Sequence, residues 1–179
     1  MTRLMKSVFY YRLDRLGKRW GDERLGDITI GIAEEGGSVT ELFFESHVPA
    51  GFAKAERREA ETALIKETAG QIKLYLAGKL RDFTVPLAPA GTEFQKAAWN
   101  ALLTIPYGET RSYKNMAERI GKPAAVRAVG MANNRNPISI IIPCHRVIGH
   151  DGALVGYGGG LPLKRRLLDL EQGRLEFGL

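Results

Sequence analysis

Short β-prone runs open the chain. Val8–Arg12, Asp27–Ala33 and Val39–Glu45 are rich in β-branched and aromatic residues, and Glu34-Glu35-Gly36-Gly37 between the last two predicts a hairpin with a four-to-five residue turn. From Ala55 to Leu76 the apolar period changes. Leu64, Thr68, Ile72 and Tyr75/Leu76 recur three to four positions apart with Glu, Lys and Arg between them, which predicts a helix closed by Gly78. Val85-Pro86-Leu87-Ala88-Pro89-Ala90-Gly91 follows, a stretch that can neither continue a helix nor enter a central strand. It predicts a linker between a first domain, residues 1–88, and a second, residues 89–179.

The second half has a mainly helical pattern. Thr92-Glu93-Phe94-Gln95 is a capping-box sequence ahead of a helix whose apolar face includes Phe94, Ala98, Ala101 and Leu102, and Tyr107-Gly108 turns the chain after Pro106. Ser112 is a candidate N-cap for a short helix to Ile120, which Gly121 ends, and Pro123 starts another helix reaching about Ala132. Two short helices around a tight glycine turn make a helix-turn-helix pattern. The isoleucine-rich run Ile138–Ile142, interrupted only by Ser139, predicts a buried strand leading into Pro143-Cys144-His145-Arg146; a glycine-rich loop, Gly156 to Gly160, then precedes a last helix, Pro162–Gln172, with Leu163, Leu167 and Leu170 inward. The fold class is therefore mixed α/β (α+β), sheet first and helices after.

Charge sharpens this picture. Of the net +6, residues 1–90 supply +1 (14 basic, 13 acidic) and residues 91–179 supply +5 (12 basic, 7 acidic). A basic half beside a neutral one suits a polyanionic partner, although a basic surface without a partner fits equally. No run approaches the roughly 18 apolar residues of a membrane span, and Met1 to Leu16 lacks the apolar core of a signal peptide. No membrane association is expected, and the cytoplasm, or the nucleus of a eukaryote, is the default location. One cysteine excludes an internal disulfide and a Cys-rich zinc site, and leaves no second thiol in the chain to reverse what Cys144 does.

Two segments carry candidate chemistry. The stretch from Pro123 to Ala132 is made of small residues, among them Ala125, Ala128 and Gly130, with Arg127 its one long polar projection. A major-groove reader projects several Asn, Gln, Arg or Lys. Small residues instead let a backbone approach a narrow groove, with Arg127 as a wedge; a helix packed in a core with Arg127 snorkelling outward has the same pattern. Cys144 divides likewise. A lone cysteine is commonly a small buried hydrophobe. Beside His145, however, it has a base to take its proton, and a carboxylate such as Glu171 on the last helix could hold the imidazolium. Adjacent residues on an extended chain point opposite ways, so His145 is expected to act through a water or across a turn.

Ile142-Pro143-Cys144-His145-Arg146-Val147-Ile148 resembles the active-site signature of the O6-alkylguanine-DNA alkyltransferases. The resemblance covers residues 92–173: Arg127-Ala128-Val129-Gly130 resembles the recognition helix with its arginine finger, Asn136-Pro137 the asparagine hinge, Tyr157 with Gly158-Gly159-Gly160 and then Lys164 the active-site loop and following helix, and Glu171 the buried glutamate. It implies a ribonuclease-H-like first domain and a winged-helix second domain. It also implies a single-turnover methyltransferase that binds damaged double-stranded DNA through the minor groove, flips the lesion out, and moves the alkyl group from O6 of guanine, with O4-alkylthymine a further candidate, to Cys144. By resemblance, Tyr113 lies near the base and its 3′ phosphate, Asn136 ties the helix-turn-helix to the site, and Val147, Tyr157, Gly158 and Ser139 line the base pocket. Arg146 would clamp the loop. No cofactor and no metal are implied; the first half has no cysteine and only His47, so the zinc of some members is not expected. The molecule would be a monomer, with room for several copies along one duplex. Some members carry proline where Ser139 stands, and others a side chain where Gly158 stands. Two rivals remain: a winged-helix protein that binds lesions without repairing them, and a cysteine hydrolase, which would leave the basic helix-turn-helix unexplained.

Overall fold

The computed structural model describes residues 5–13, 20, 22, 25, 27–49, 52 and 57–175. Strands β1 (Lys6–Leu13), β2 (Ile28–Glu35), β3 (Ser38–Phe44) and β4 (Arg57–Glu59) form one sheet in the order β3-β2-β1-β4. The β1–β2 and β2–β3 pairs are antiparallel and β1–β4 is parallel. The β2–β3 turn is shorter than the sequence predicts. Only Gly36 and Gly37 lie between the strands, at φ 59° and 77°, the doubly positive geometry whose twist matches a tight hairpin.

Helix α1 (Ala63–Leu76) is capped by Thr62, whose hydroxyl accepts from Ile65 N–H, and it lies across β1, β2 and β3. It starts well after the predicted Ala55. Arg57–Glu59 is drawn into the sheet beside Lys6–Val8, so strand pairing overrides helix propensity there; Ala55 and Glu56 lie outside the described residues, as do Met1–Leu4 and residues 14–16.

The segment predicted as a linker docks on the sheet. Val39 N–H donates to Pro86 O (2.8 Å) and Ala88 N–H to Val39 O (2.9 Å), so the stretch runs along the edge of β3. Farther along that edge Leu42 N–H donates to Pro137 O (2.8 Å) and Ser139 N–H to Leu42 O (2.7 Å). One edge strand thus anchors both the entry to the second half and the turn leading to Cys144.

The second half comprises α2 (Glu93–Leu102), β5 (Arg111–Ser112), α3 (Tyr113–Arg119), α4 (Val126–Asn134), a 3-10 turn (Cys144–Arg146), β6 (Val147–Ile148) and α5 (Gly160–Glu171). The predicted capping box of Thr92 with Gln95 forms, and Ser112 is the N-cap expected of it, in a second box with Asn115 that the sequence reading did not include. Helix α4 begins three residues after Pro123, because Pro123 and Ala124 form the turn and Ala125 is the N-cap. The isoleucine-rich run Ile138–Ile142 is buried as predicted, yet it is not a strand. It makes one bridge, Ile138 to Leu42, and then coils, with Ile142 N–H donating to Ile138 O (3.0 Å) and Ile140 at φ 71°. One apolar core runs through both halves, joining Ile30, Leu42, Ile65 and Tyr75 to Trp99, Leu102, Ile142 and Leu167. Among the described residues no helix is long and apolar enough to cross a membrane.

Candidate active site

The coil at Ile138–Ile142 exists because Asn136 organises it. Its side-chain oxygen accepts from Ile138 N–H (3.0 Å), and its Nδ2 donates to Ile142 O (2.8 Å) and to the Cys144 sulfur (3.2 Å). A left-handed φ on a β-branched residue is costly, and these bonds with the Leu42 pairings hold Ile140 there. The result presents Cys144 at the start of a 3-10 turn rather than on an extended strand. Burial pushes the Cys144 thiol above its ordinary pKa, and the Asn136 hydrogen bond and the Lys164 charge oppose this without overturning it. The resting residue is a thiol that needs a proton acceptor.

The turn carries His145 into full burial. Its Nε2 lies 2.8 Å from Glu171 Oε1 and 3.3 Å from the Tyr75 hydroxyl, and its Nδ1 is buried without a partner. Burial lowers the His145 pKa below its ordinary value, the adjacent Glu171 carboxylate pulling the other way, so a neutral imidazole is the resting form at neutral pH. Glu171 gathers donors: Arg146 Nε (2.9 Å to Oε2) and Nη2 (2.9 Å to Oε1), Gly108 N–H (3.0 Å) and the Tyr75 hydroxyl (2.5 Å). Burial alone would raise the carboxyl, but the His145 and Arg146 contacts outweigh it and bring Glu171 down to about 2. Arg146 also donates to Ile105 O (2.6 Å), so it clamps the last helix to the loop after α2.

Cys144 opens onto a cavity of about 560 Å³ between α4 and the glycine-rich loop. Tyr113, Arg127, Gly130, Met131, Asn133 and Asn134 line one side, and Val155 to Gly158 the other. Arg127 and Ala128 are exposed on α4, Ala125 is half-buried at its start, and the Tyr113 ring lies beside Gly130. The Tyr113 hydroxyl reaches Val155 O (3.5 Å), and the Tyr157 hydroxyl is buried without a partner. Gly158 leaves room for His47, whose ring would stand 2.8 Å from a Cβ there.

Cys144, Tyr113, Arg127, Gly130, Tyr157 and Gly158 thus share one cavity, with Asn136 on the sulfur and the buried His145–Glu171 pair beginning at the next residue. Two residues expected in the pocket wall stand elsewhere. Ser139 faces the adjacent groove lined by His47, Trp99 and Asn136, because its N–H is tied to β3. Val147 is fully buried, and its carbonyl accepts from Lys164 Nζ (2.7 Å). Among the described residues no group of three or more His, Cys, Asp or Glu could hold a metal.

Two contributors have no role assigned by sequence reasoning. Lys164 is fully buried and donates to Val147 O and Val155 O, both at 2.7 Å, so it ties the glycine-rich loop to β6; burial brings it down to about 8 against the pull of Cys144. The resemblance names Lys164 only as part of the helix after the loop; a lysine on the inward face of an otherwise apolar helix stripe is the signal for its tethering role. Tyr75 arrives from α1, 70 positions before His145, and its helical spacing announced only a core residue.

Residues 93–173 match the family model described as 6-O-methylguanine DNA methyltransferase, DNA binding domain. The methylated-DNA–protein-cysteine methyltransferase of Methanosarcina barkeri is 62% identical over 110 residues, which is 62% of this chain and 70% of that one. The protein of the same name from Mycobacterium leprae is 58% identical over 112 residues, 63% of this chain and 68% of that one. In three dimensions the chain is similar to Mycobacterium tuberculosis OGT in complex with DNA, at 43% identity and a TM-score of 0.75, over 93% of this chain and 94% of that one.

Proposed function

The chain belongs to the methylated-DNA–protein-cysteine methyltransferase family, and from that premise we propose how its residues divide the work. The protein binds damaged DNA and repairs it by direct reversal, moving an alkyl group from O6-alkylguanine to its own cysteine. Helix α4 enters the minor groove with its small face, and Arg127 fills the space of the flipped nucleotide. Extrusion of the lesion costs a few kcal/mol, less for a poorly paired base. The base lies in the cavity between Tyr113 and the Tyr157–Gly158 segment.

Cys144 is the acceptor. Its thiol proton passes through a water to His145 Nδ1, the ring nitrogen left free because Glu171 holds Nε2. The thiolate attacks the alkyl carbon in line. A carbon–sulfur bond forms as the carbon–O6 bond breaks, and the electron pair leaves with guanine, which takes up a proton with help from Tyr113. Asn136 holds the sulfur in place. The thioether is inert and no second thiol in the chain reverses it, so each molecule acts once. A protein that works on DNA is expected in the cytoplasm of a bacterium or the nucleus of a eukaryote.

The observation that carries these assignments is the arrangement of one histidine: Nε2 engaged by a carboxylate held near pKa 2, Nδ1 without a partner, next to the cysteine that faces the cavity. Mass measurement of intact protein mixed with an O6-methylguanine duplex tests them. One methylene is expected on the Cys144 peptide, saturating at one per molecule, and none is expected with Cys144→Ala. Transfer by that variant, or tight binding of the wild type to the lesion without any transfer, overturns the assignment.

A further inference from the structure

The first half of the chain brings a tyrosine to the Glu171–His145 pair. Tyr75, fully buried on α1, donates its hydroxyl hydrogen to Glu171 Oε1 at 2.5 Å, and the Tyr75 oxygen is 3.3 Å from His145 Nε2. Phe83, tilted, and Tyr107, near perpendicular, pack against its ring (centroids at 5.2 and 6.1 Å), so it has little freedom to turn away. A hydroxyl committed as donor to a carboxylate has only lone pairs left for its other neighbour. The Nε2 nitrogen of His145 therefore faces two acceptors, Glu171 Oε1 and the Tyr75 oxygen, and must carry the proton. Nδ1 is then the unprotonated nitrogen.

We propose that Tyr75 is a positioning residue for alkyl transfer: acting with Glu171, it fixes His145 as the tautomer with Nδ1 free, and it tempers the carboxylate that holds the imidazolium. This rests on His145 being the proton acceptor for Cys144. Tyr75 thereby makes the first half of the chain part of the chemistry as well as of the core. The hydroxyl withdraws electron density from the oxygen that faces His145, so its removal strengthens the Glu171–His145 attraction and favours the protonated ring. The other charged or titratable groups about that ring are Arg146 and Lys164, both opposing its protonation, with Tyr157 in edge contact at 6.3 Å and Cys144 next in sequence. Arg146 and Tyr157 also interact with Tyr75 itself, and a change at position 75 leaves all four side chains in the sequence.

The test is the pH dependence of the single-turnover transfer rate from an O6-methylguanine duplex, measured on the full chain. The wild-type rate falls on the acid side as His145 becomes protonated. Tyr75→Phe keeps the ring and should move that fall upward by roughly half to one pH unit, the scale of one hydrogen bond to a charged group shared between two partners. Duplex affinity should be unchanged. Incorporation of 3,5-difluorotyrosine at position 75, a stronger donor of similar shape, should move the fall downward, and it serves if the phenylalanine variant folds poorly. An unmoved profile in both variants, or a shift in the opposite sense, overturns the inference and leaves Tyr75 a packing residue. A wild-type rate with no acid-side fall overturns instead the role of His145 as acceptor.

Discussion

Glu171→Gln isolates the charge on which the site is built. The carboxylate is fully buried and receives His145, Arg146, Gly108 and Tyr75. Its displacement from an ordinary 4.5 to about 2 corresponds to about 3 kcal/mol of stability at neutral pH. Removing one member of a buried ion pair costs about 3–5 kcal/mol, because the partner, here Arg146, is left as an uncompensated buried charge. Both routes give a loss of about 3 kcal/mol or somewhat more. The sign with pH follows from the depressed pKa. The contribution is fully present above the unfolded carboxyl value near 4.5 and is lost as pH falls from there through about 2. Urea unfolding followed by Trp fluorescence at pH 7, 5 and 3 reads both effects. The variant should be less stable at pH 7 and should lose less on acidification than the wild type. A cost below about 1 kcal/mol at pH 7, or an acid dependence equal to that of the wild type, would refute the buried-charge account.

Three further outcomes follow from the same geometry. Arg127→Ala should slow repair of a lesion in duplex DNA far more than reaction with the free alkylated base, and equal losses in the two transfer assays would make Arg127 structural. Gly108→Ala should destabilise the protein by about 2 kcal/mol or more in thermal or urea unfolding, since the position is left-handed (φ 82°) and its new Cβ would stand 2.9 Å from Glu171 O; a neutral result would mean the turn relaxes freely. Lys164→Met removes the ammonium that joins Val147 O to Val155 O, so hydrogen exchange in residues 155–158 should quicken, and unchanged protection there would show that the loop holds without it.

The helices of the second half were legible in the sequence because their signals are local. Capping boxes, a C-terminal glycine and three-to-four spacing act within one or two turns, and α2 and α3 begin where Thr92 and Ser112 indicate. Elements whose form depends on a distant partner were not. Arg57–Glu59 is a strand only because β1 offers an edge, and the isoleucine-rich run Ile138–Ile142 coils only because Asn136 and Leu42 take its backbone groups. The same edge diverts Ser139 from the cavity into the neighbouring groove.

By itself, the sequence determined the residue types that alkyl transfer needs: one cysteine, a histidine beside it, a glutamate on the last helix, a small-faced helix bearing Arg127, and a basic second half. Tertiary structure decided which nitrogen of His145 is free, how far Glu171 is held from protonation, and that a tyrosine from the first half reaches both. The reason is physical. Residue identity and local spacing are fixed along the chain, whereas ionisation and tautomer depend on burial and on donors brought together from far apart in sequence.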